Sequence, residues 1–184
     1  MTALKICKDT AGTQPVETLT DIDAIATELH RIGVRIERWK ANKPLTDNMS
    51  NEDIIAAYRD SVDRLISEYG FKSVDVVALT PDHPQKAEFR KKFLEEHQHG
   101  DFEVRFFVDG KGLFYLHPND KVYCIMCEKG DLISVPANMK HWFDMGENPN
   151  FKCIRLFTTP EGWVAKFSGD PIAKSFPAFD QFKF

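Results

Sequence analysis

From residue 95 to residue 167 the chain is a succession of short β-prone runs. They lie at 95–99, 103–108, 113–117, 121–127, 132–135, 140–144, 151–158 and 163–167. Between them stand the turn signals "VDGKG", "HPND", "EKGD" and "GENPN". Glycine, proline, asparagine and aspartate supply the backbone angles that a chain reversal needs. Many short strands at regular spacing can bury their apolar faces only in a sandwich or a closed barrel. Fifteen phenylalanines, concentrated in the second half, suit an interior lined with bulky side chains.

The first part reads as mixed α/β. "LKICK" (4–8) is a short strand candidate. Ile22, Ile25, Leu29 and Ile32 recur at spacings of three and four, and Gly33 follows as a C-cap, so a helix is expected there. "VRIERW" (34–39) alternates as a strand. Ser50 with Asp53 forms a capping-box pattern, and Ile55, Tyr58, Val62, Leu65 and Tyr69 predict one helix ending at Gly70. "VDVVAL" (74–79) is a further strand candidate, and "PDHPQKAEFRKKFL" has the composition of a short helix. These helices are expected to pack outside the β-unit rather than to form a second domain. The whole chain is read as one domain, with a mixed α/β part at 1–92, a β-barrel core at 93–168 and a tail at 169–184.

The chain has 184 residues and a net charge of −4, which argues against nucleic acid or an anionic membrane as a partner. No apolar run approaches the roughly 20 residues that span a bilayer. "MTALKICKDTAG" lacks a signal-peptide core, and four cysteines show no disulfide-scaffold spacing, so a reducing cytoplasm is the expected compartment. Cys124 and Cys127 are three apart on a strand, which sends their thiols to opposite faces. They are expected to be small packed hydrophobes.

The chemistry concentrates in "HQHGDFEVRFF" (97–107). Side chains alternate along a strand, so His97 and His99 point the same way, and so do Glu103 and Arg105. Two imidazoles and a carboxylate converging into a barrel are three ligands for a divalent transition metal. A fourth candidate is His141, which follows the turn residues of "GDLISVPANMKHW". The spacings H-x-H-x3-E-x6-G and G-x5-P-x4-H resemble the two motifs of the cupin superfamily, double-sheet β-barrels with a metal inside.

"VRIERW", "HQHGDFEVRFFVDGKGLFYLH", "KVYCIMCEKGDLISVPANMKHWFDMG" and "IRLFTTPEGWVAKFSGD" together resemble the bacterial acireductone dioxygenases over most of the chain. That resemblance implies a mainly β (α+β) fold, a cupin double-stranded β-helix or jelly-roll barrel with N-terminal helices packed outside. It implies an enzyme of methionine salvage that cleaves 1,2-dihydroxy-3-keto-5-(methylthio)pentene with O2. His97, His99, Glu103 and His141 would hold one Fe2+ or Ni2+ per chain, with Co2+ or Mn2+ as possible substitutes. Arg105 would hold the substrate dianion, and Glu96 would assist metal loading. Phe93, Phe106, Phe143, Arg155 and Trp163 would shape the pocket or its mouth. The expected partners are acireductone and O2, and the expected state is a monomer. Other readings of the same motifs are a quercetinase-like or cysteine-dioxygenase-like cupin, or a cupin that binds a small molecule without catalysis.

Some positions depart from the general cupin pattern. Lys91 and Asn138 stand where glycines are usual, Met145 where an asparagine is usual, and Phe102 where an acid often precedes the glutamate. Asn138 can still adopt the left-handed backbone conformation that such a turn needs. No departure falls on an expected ligand.

Overall fold

The computed structural model describes residues 1–46, 48–159 and 164–183. In chain order these form β1 (Ala3–Lys8), β2 (Pro15–Leu19), α1 (Ile22–His30), β3 (Arg35–Arg38), α2 (Asn51–Ala57), α3 (Arg59–Tyr69) and β4 (Ser73–Leu79). Then follow α4 (Lys86–Leu94), β5 (His97–Gln98), β6 (Glu103–Leu116), β7 (Lys121–Glu128), β8 (Asp131–Val135), β9 (His141–Asp144), β10 (Phe151–Phe157) and β11 (Lys166–Phe167). Two short 3-10 turns, Pro171–Ser175 and Phe179–Gln181, lie in the tail.

The barrel turns on β6. Its first half pairs antiparallel with β8 and β10, and its second half with β7 and β9. One strand therefore belongs to both sheets. The sequence reading placed a turn at "VDGKG", but the strand runs straight through it. What those residues supply is a bend: Gly110 has φ +70°, and the register against β10 shifts between Lys152 and Cys153. Any side chain at Gly110 would strike the backbone of Asn150 and Phe151. A bulge inserts one residue and reverses which face later side chains take. So Phe107 before the bend and Phe114 and Leu116 after it all reach the same interior.

The interior cluster joins those residues to Ile125, Cys127, Ile133, Phe143, Phe151 and Cys153, and α1 adds Ile25 and Leu29. On the outside of one sheet, Val104, Phe106, Leu132, Ile154 and Leu156 are covered by Ile54, Tyr58, Val62 and Leu65 of the α2–α3 segment. On the outside of the other, Tyr115, Cys124, Met126 and Trp142 are covered by Phe176 and the tail. The fold is thus a double-sheet barrel of the expected kind, with α2 and α3 packed outside. The first 92 residues also put strands into it: β1 pairs β7, β3 pairs β8 and β4 pairs β10.

Two further differences have local causes. The helix expected from Ser50 to Gly70 is broken at Tyr58 (φ −113°, ψ 24°), although the Ser50–Asp53 capping box and the left-handed Gly70 are both present. Strand β2 was not expected. It is an exposed edge strand that begins with Pro15, so it carries no buried alternating face. No helix of the described residues is long and apolar enough to cross a membrane.

Candidate metal centre

Strand β5 carries His97, and His99 follows it immediately. Glu103 opens β6, and His141 opens β9 directly across the ladder from His97. The turn at Asn138, left-handed with φ +63°, donates its backbone N–H to the carbonyl of His99 at 2.8 Å. Asparagine therefore fills the glycine-like position and ties the two motifs together.

These four residues are buried, and their candidate ligand atoms all lie within 4.8 Å of one another. The ring centroids of His97 and His141 are 4.5 Å apart, those of His97 and His99 5.0 Å, and those of His99 and His141 5.2 Å. One oxygen of Glu103 lies 2.8 Å from His141 Nε2 and 3.2 Å from His99 Nε2. Its other oxygen is 2.7 Å from Arg105 Nε.

The donor set fits a metal in three ways. His97 Nδ1 contacts the carbonyl of Glu95 at 2.6 Å and His141 Nδ1 the carbonyl of Met139 at 2.7 Å. A carbonyl only accepts, so each Nδ1 carries the proton and each Nε2 keeps a lone pair facing the cluster. Burial, and then the neighbouring His141, pushes His97 down to about 4, so the ring stays neutral at physiological pH. Burial by itself would raise the Glu103 carboxyl. Arg105 and then His141 outweigh it and hold the group well below the usual carboxylate range. Three imidazoles and one carboxylate are a donor set that would hold a divalent transition-metal ion.

Arg105 lies on the same face, one strand step beyond Glu103. Its guanidinium carbon sits 4.7 Å from the ring centroid of Phe143, 5.1 Å from that of Phe114 and 5.7 Å from that of Phe93. Phe93 reaches it from α4. A Cβ at Gly112 would overlap the Phe143 ring, so glycine there leaves the ring its place. Phe114 was missed by the sequence reading. It stands directly opposite Phe143 in the β6–β9 ladder.

The other expected pocket residues divide. Phe93 and Phe143 join the site. Arg155 stands opposite Arg105 in the β6–β10 ladder and is held by Asp75, with Nε–Oδ1 at 2.8 Å and Nη2–Oδ2 at 2.5 Å. The expectation for Phe106 is corrected. Next to Arg105 on the strand, it points to the opposite face, where its ring packs against Tyr58 and Trp39 at 5.5 and 5.8 Å. Trp163 lies outside the described residues. Glu96 is buried behind His97, with His117 Nδ1 at 2.5 Å and Ser168 Oγ at 2.6 Å on its two oxygens. Cys124 and Cys127 do face opposite sides, one under the tail and one in the barrel interior.

The sequence profile of the ARD/ARD′ family matches residues 3–165. The chain belongs to this family. Among its relatives, an acireductone dioxygenase of Aquifex aeolicus (strain VF5) is 63% identical over 166 residues, covering 90% of this chain and 91% of its own. One from Methylococcus capsulatus (strain ATCC 33009 / NCIMB 11132 / Bath) is 56% identical over 94% of this chain and 92% of its own. In three dimensions, the ARD-family member from Bacillus anthracis, an acireductone dioxygenase solved with a cadmium ion in its active centre, superposes with a TM-score of 0.78. That match has 30% sequence identity and covers 91% of this chain and 98% of the other. The family is one of metal-dependent dioxygenases, and the His97–His99–Glu103–His141 cluster is a group that could hold a single divalent ion.

Proposed function

We propose that this chain is an acireductone dioxygenase of methionine salvage, cleaving 1,2-dihydroxy-3-keto-5-(methylthio)pentene with O2. The reading places it in the cytoplasm as a monomer with one Fe2+ or Ni2+ at the four-residue cluster. The observation that carries it is the charge arrangement at the bottom of the barrel. A divalent ion and Glu103 would together carry one positive charge, and Arg105 beside them adds a second. A buried site with two net positive charges is matched by a doubly deprotonated enediol.

When bound, the ion supplies a Lewis-acid centre that lowers the free energy of the enediolate charge. The chain's own residues do the rest. Arg105 supplies a fixed cation that cannot lose its proton, and Phe93, Phe114 and Phe143 hold its plane while keeping water away. Low local dielectric strengthens its attraction for the dianion. His97 and His141 are held in one tautomer by backbone carbonyls, so neither competes as a proton donor at Nε2.

Affinity of such nitrogen and oxygen ligands rises from Fe2+ to Ni2+, so supply rather than affinity decides which ion is present. The family resemblance implies that the ion selects the products. With Fe2+ these are 4-methylthio-2-oxobutanoate and formate; with Ni2+ they are 3-(methylthio)propanoate, carbon monoxide and formate. The test is to strip the metal with a chelator, reload with each ion separately, and measure O2 uptake and carbon monoxide from acireductone. Carbon monoxide from the Ni2+ form alone is expected. Identical products from both forms would refute the metal-dependent branch, and no O2 uptake from either would refute the assignment.

A further inference from the structure

Phe167 is a large apolar side chain that is 52% exposed, yet it stands at the metal centre. Strand β11 pairs antiparallel with β5, and Phe167 lies directly opposite His97. Opposed residues of a ladder share a face, so the phenyl ring projects to the ligand side. Its centroid is 5.8 Å from that of His97. Among the described residues no strand pairs with β11's other side, so this two-residue strand ends the sheet.

A two-residue edge strand has little stability of its own. This one is pinned from behind. Ser168 donates its backbone N–H to the carbonyl of Glu96 at 3.0 Å and its hydroxyl to the Glu96 carboxylate at 2.6 Å. The carboxylate is itself buried and is held by His117 at 2.5 Å, with Lys140 Nζ at 3.9 Å. His117 and Lys140 are joined by a backbone hydrogen bond of 2.8 Å between β6's end and β9's start. Glu96 thus fastens the strap 166–168 to the strand that carries His97 and to the barrel wall beside His141.

We propose that Phe167 is a specificity-determining residue, the apolar rim that receives the substrate's methylthio tail, and that Ser168 is the positioning residue that holds it there through Glu96. This rests on the acireductone reading above. With its enediol end at the buried charges, the substrate must direct its uncharged tail away from them, and Phe167 is an exposed apolar side chain beside the cluster. An exposed phenyl beside His97 loses water when a thioether covers it, and sulfur–aromatic contact adds to that gain. Glu96 acts behind the ligand strand in this account, through the strap.

The experiment compares acireductone with a truncated analogue that keeps the enediol and ketone but ends in a methyl group. Wild type, Phe167→Ala, Phe167→Leu, Ser168→Ala and Ser168→Thr are assayed with both, after metal content and folding are checked. Phe167→Ala should lower the preference for the methylthio substrate, read as the ratio of kcat/KM values, about tenfold. The loss should fall mainly on KM, and Phe167→Leu should retain most of the preference. Ser168→Ala should lower the same ratio by a smaller factor and speed amide hydrogen exchange at residues 167 and 168, and Ser168→Thr should restore both. A ratio within twofold of wild type in Phe167→Ala, or equal losses on both substrates, would overturn the role of Phe167. Unchanged exchange in Ser168→Ala would overturn the latch. Failure of wild type to turn over either compound would instead strike the acireductone reading itself.

Discussion

Arg105 is held by groups of two kinds: the Glu103 carboxylate at 2.7 Å and the faces of three phenylalanines. A guanidinium is no metal ligand, so its substitution separates charge at the substrate from metal binding. Arg105→Ala should keep about one metal ion per chain and lose activity by about 10²- to 10³-fold, the scale of removing a fixed electrostatic donor. Arg105→Lys should recover little, because an ammonium lacks the planar fork that stacks between rings. Metal analysis beside steady-state kinetics checks both, and near-normal turnover in Arg105→Ala would remove the residue from the mechanism. At this scale the sequence was readable wherever alternation alone decides direction. His97 and His99, then Glu103 and Arg105, share a face as strand geometry requires. The same rule applied to Phe106 would have sent it outward, where it is found against Tyr58 and Trp39. Phe114 was hidden because its facing depends on the bulge in β6 at Val108, and a bulge changes parity without a distinct residue pattern.

Among the elements, α4 is fastened by one buried carboxylate. Asp144, at the end of β9, pairs with Arg90 of α4 through Oδ1 at 2.8 Å and Oδ2 at 3.1 Å. It also accepts from the backbone N–H groups of Gly146 at 2.9 Å and of Phe179 in the tail at 2.8 Å. Burial by itself would raise this carboxyl; the Arg90 hydrogen bond and the backbone donors outweigh it and hold it below its ordinary value. Because the folded value is depressed, the stabilisation is present above about pH 4 and is lost as pH falls through the folded value. Asp144→Asn should cost about 3 kcal/mol at neutral pH, because it removes the buried counter-charge of a partly buried guanidinium and leaves it the exposed Glu147 carboxylate at 3.6 Å. Urea unfolding of both proteins from pH 7 to pH 3 checks this. The gap should narrow only at the acid end, and a gap independent of pH would contradict the account. Phe93 is on the same helix, so the variant should also weaken the packing around Arg105. Elements defined by local pattern were legible: α1, the Ser50 cap, β3 and most barrel strands fall where periodicity puts them. The break at Tyr58 was not, because it serves contacts far away in sequence. The Tyr58 hydroxyl accepts from Lys43 N–H at 3.2 Å while its ring meets Phe106 edge-on.

The whole molecule is organised so that one barrel interior is apolar over most of its volume and charged at one site. The α2–α3 segment and the tail cover the two outer faces, leaving the interior to Phe107, Phe114, Phe143 and Phe151 around a buried glutamate and arginine. Three histidines and a carboxylate gathered there without an ion would be an arrangement of mutually repelling or desolvated groups. With an ion they form a satisfied centre, and binding it should stabilise the folded state by linkage. The central claim is therefore that His97, His99, Glu103 and His141 bind one divalent metal. The direct measurement is elemental analysis of purified wild type, His97→Ala and His141→Ala, each shown to be folded by circular dichroism. About one transition-metal ion per chain is expected in wild type, with loss of most of it in both variants, and full occupancy in both would contradict the account.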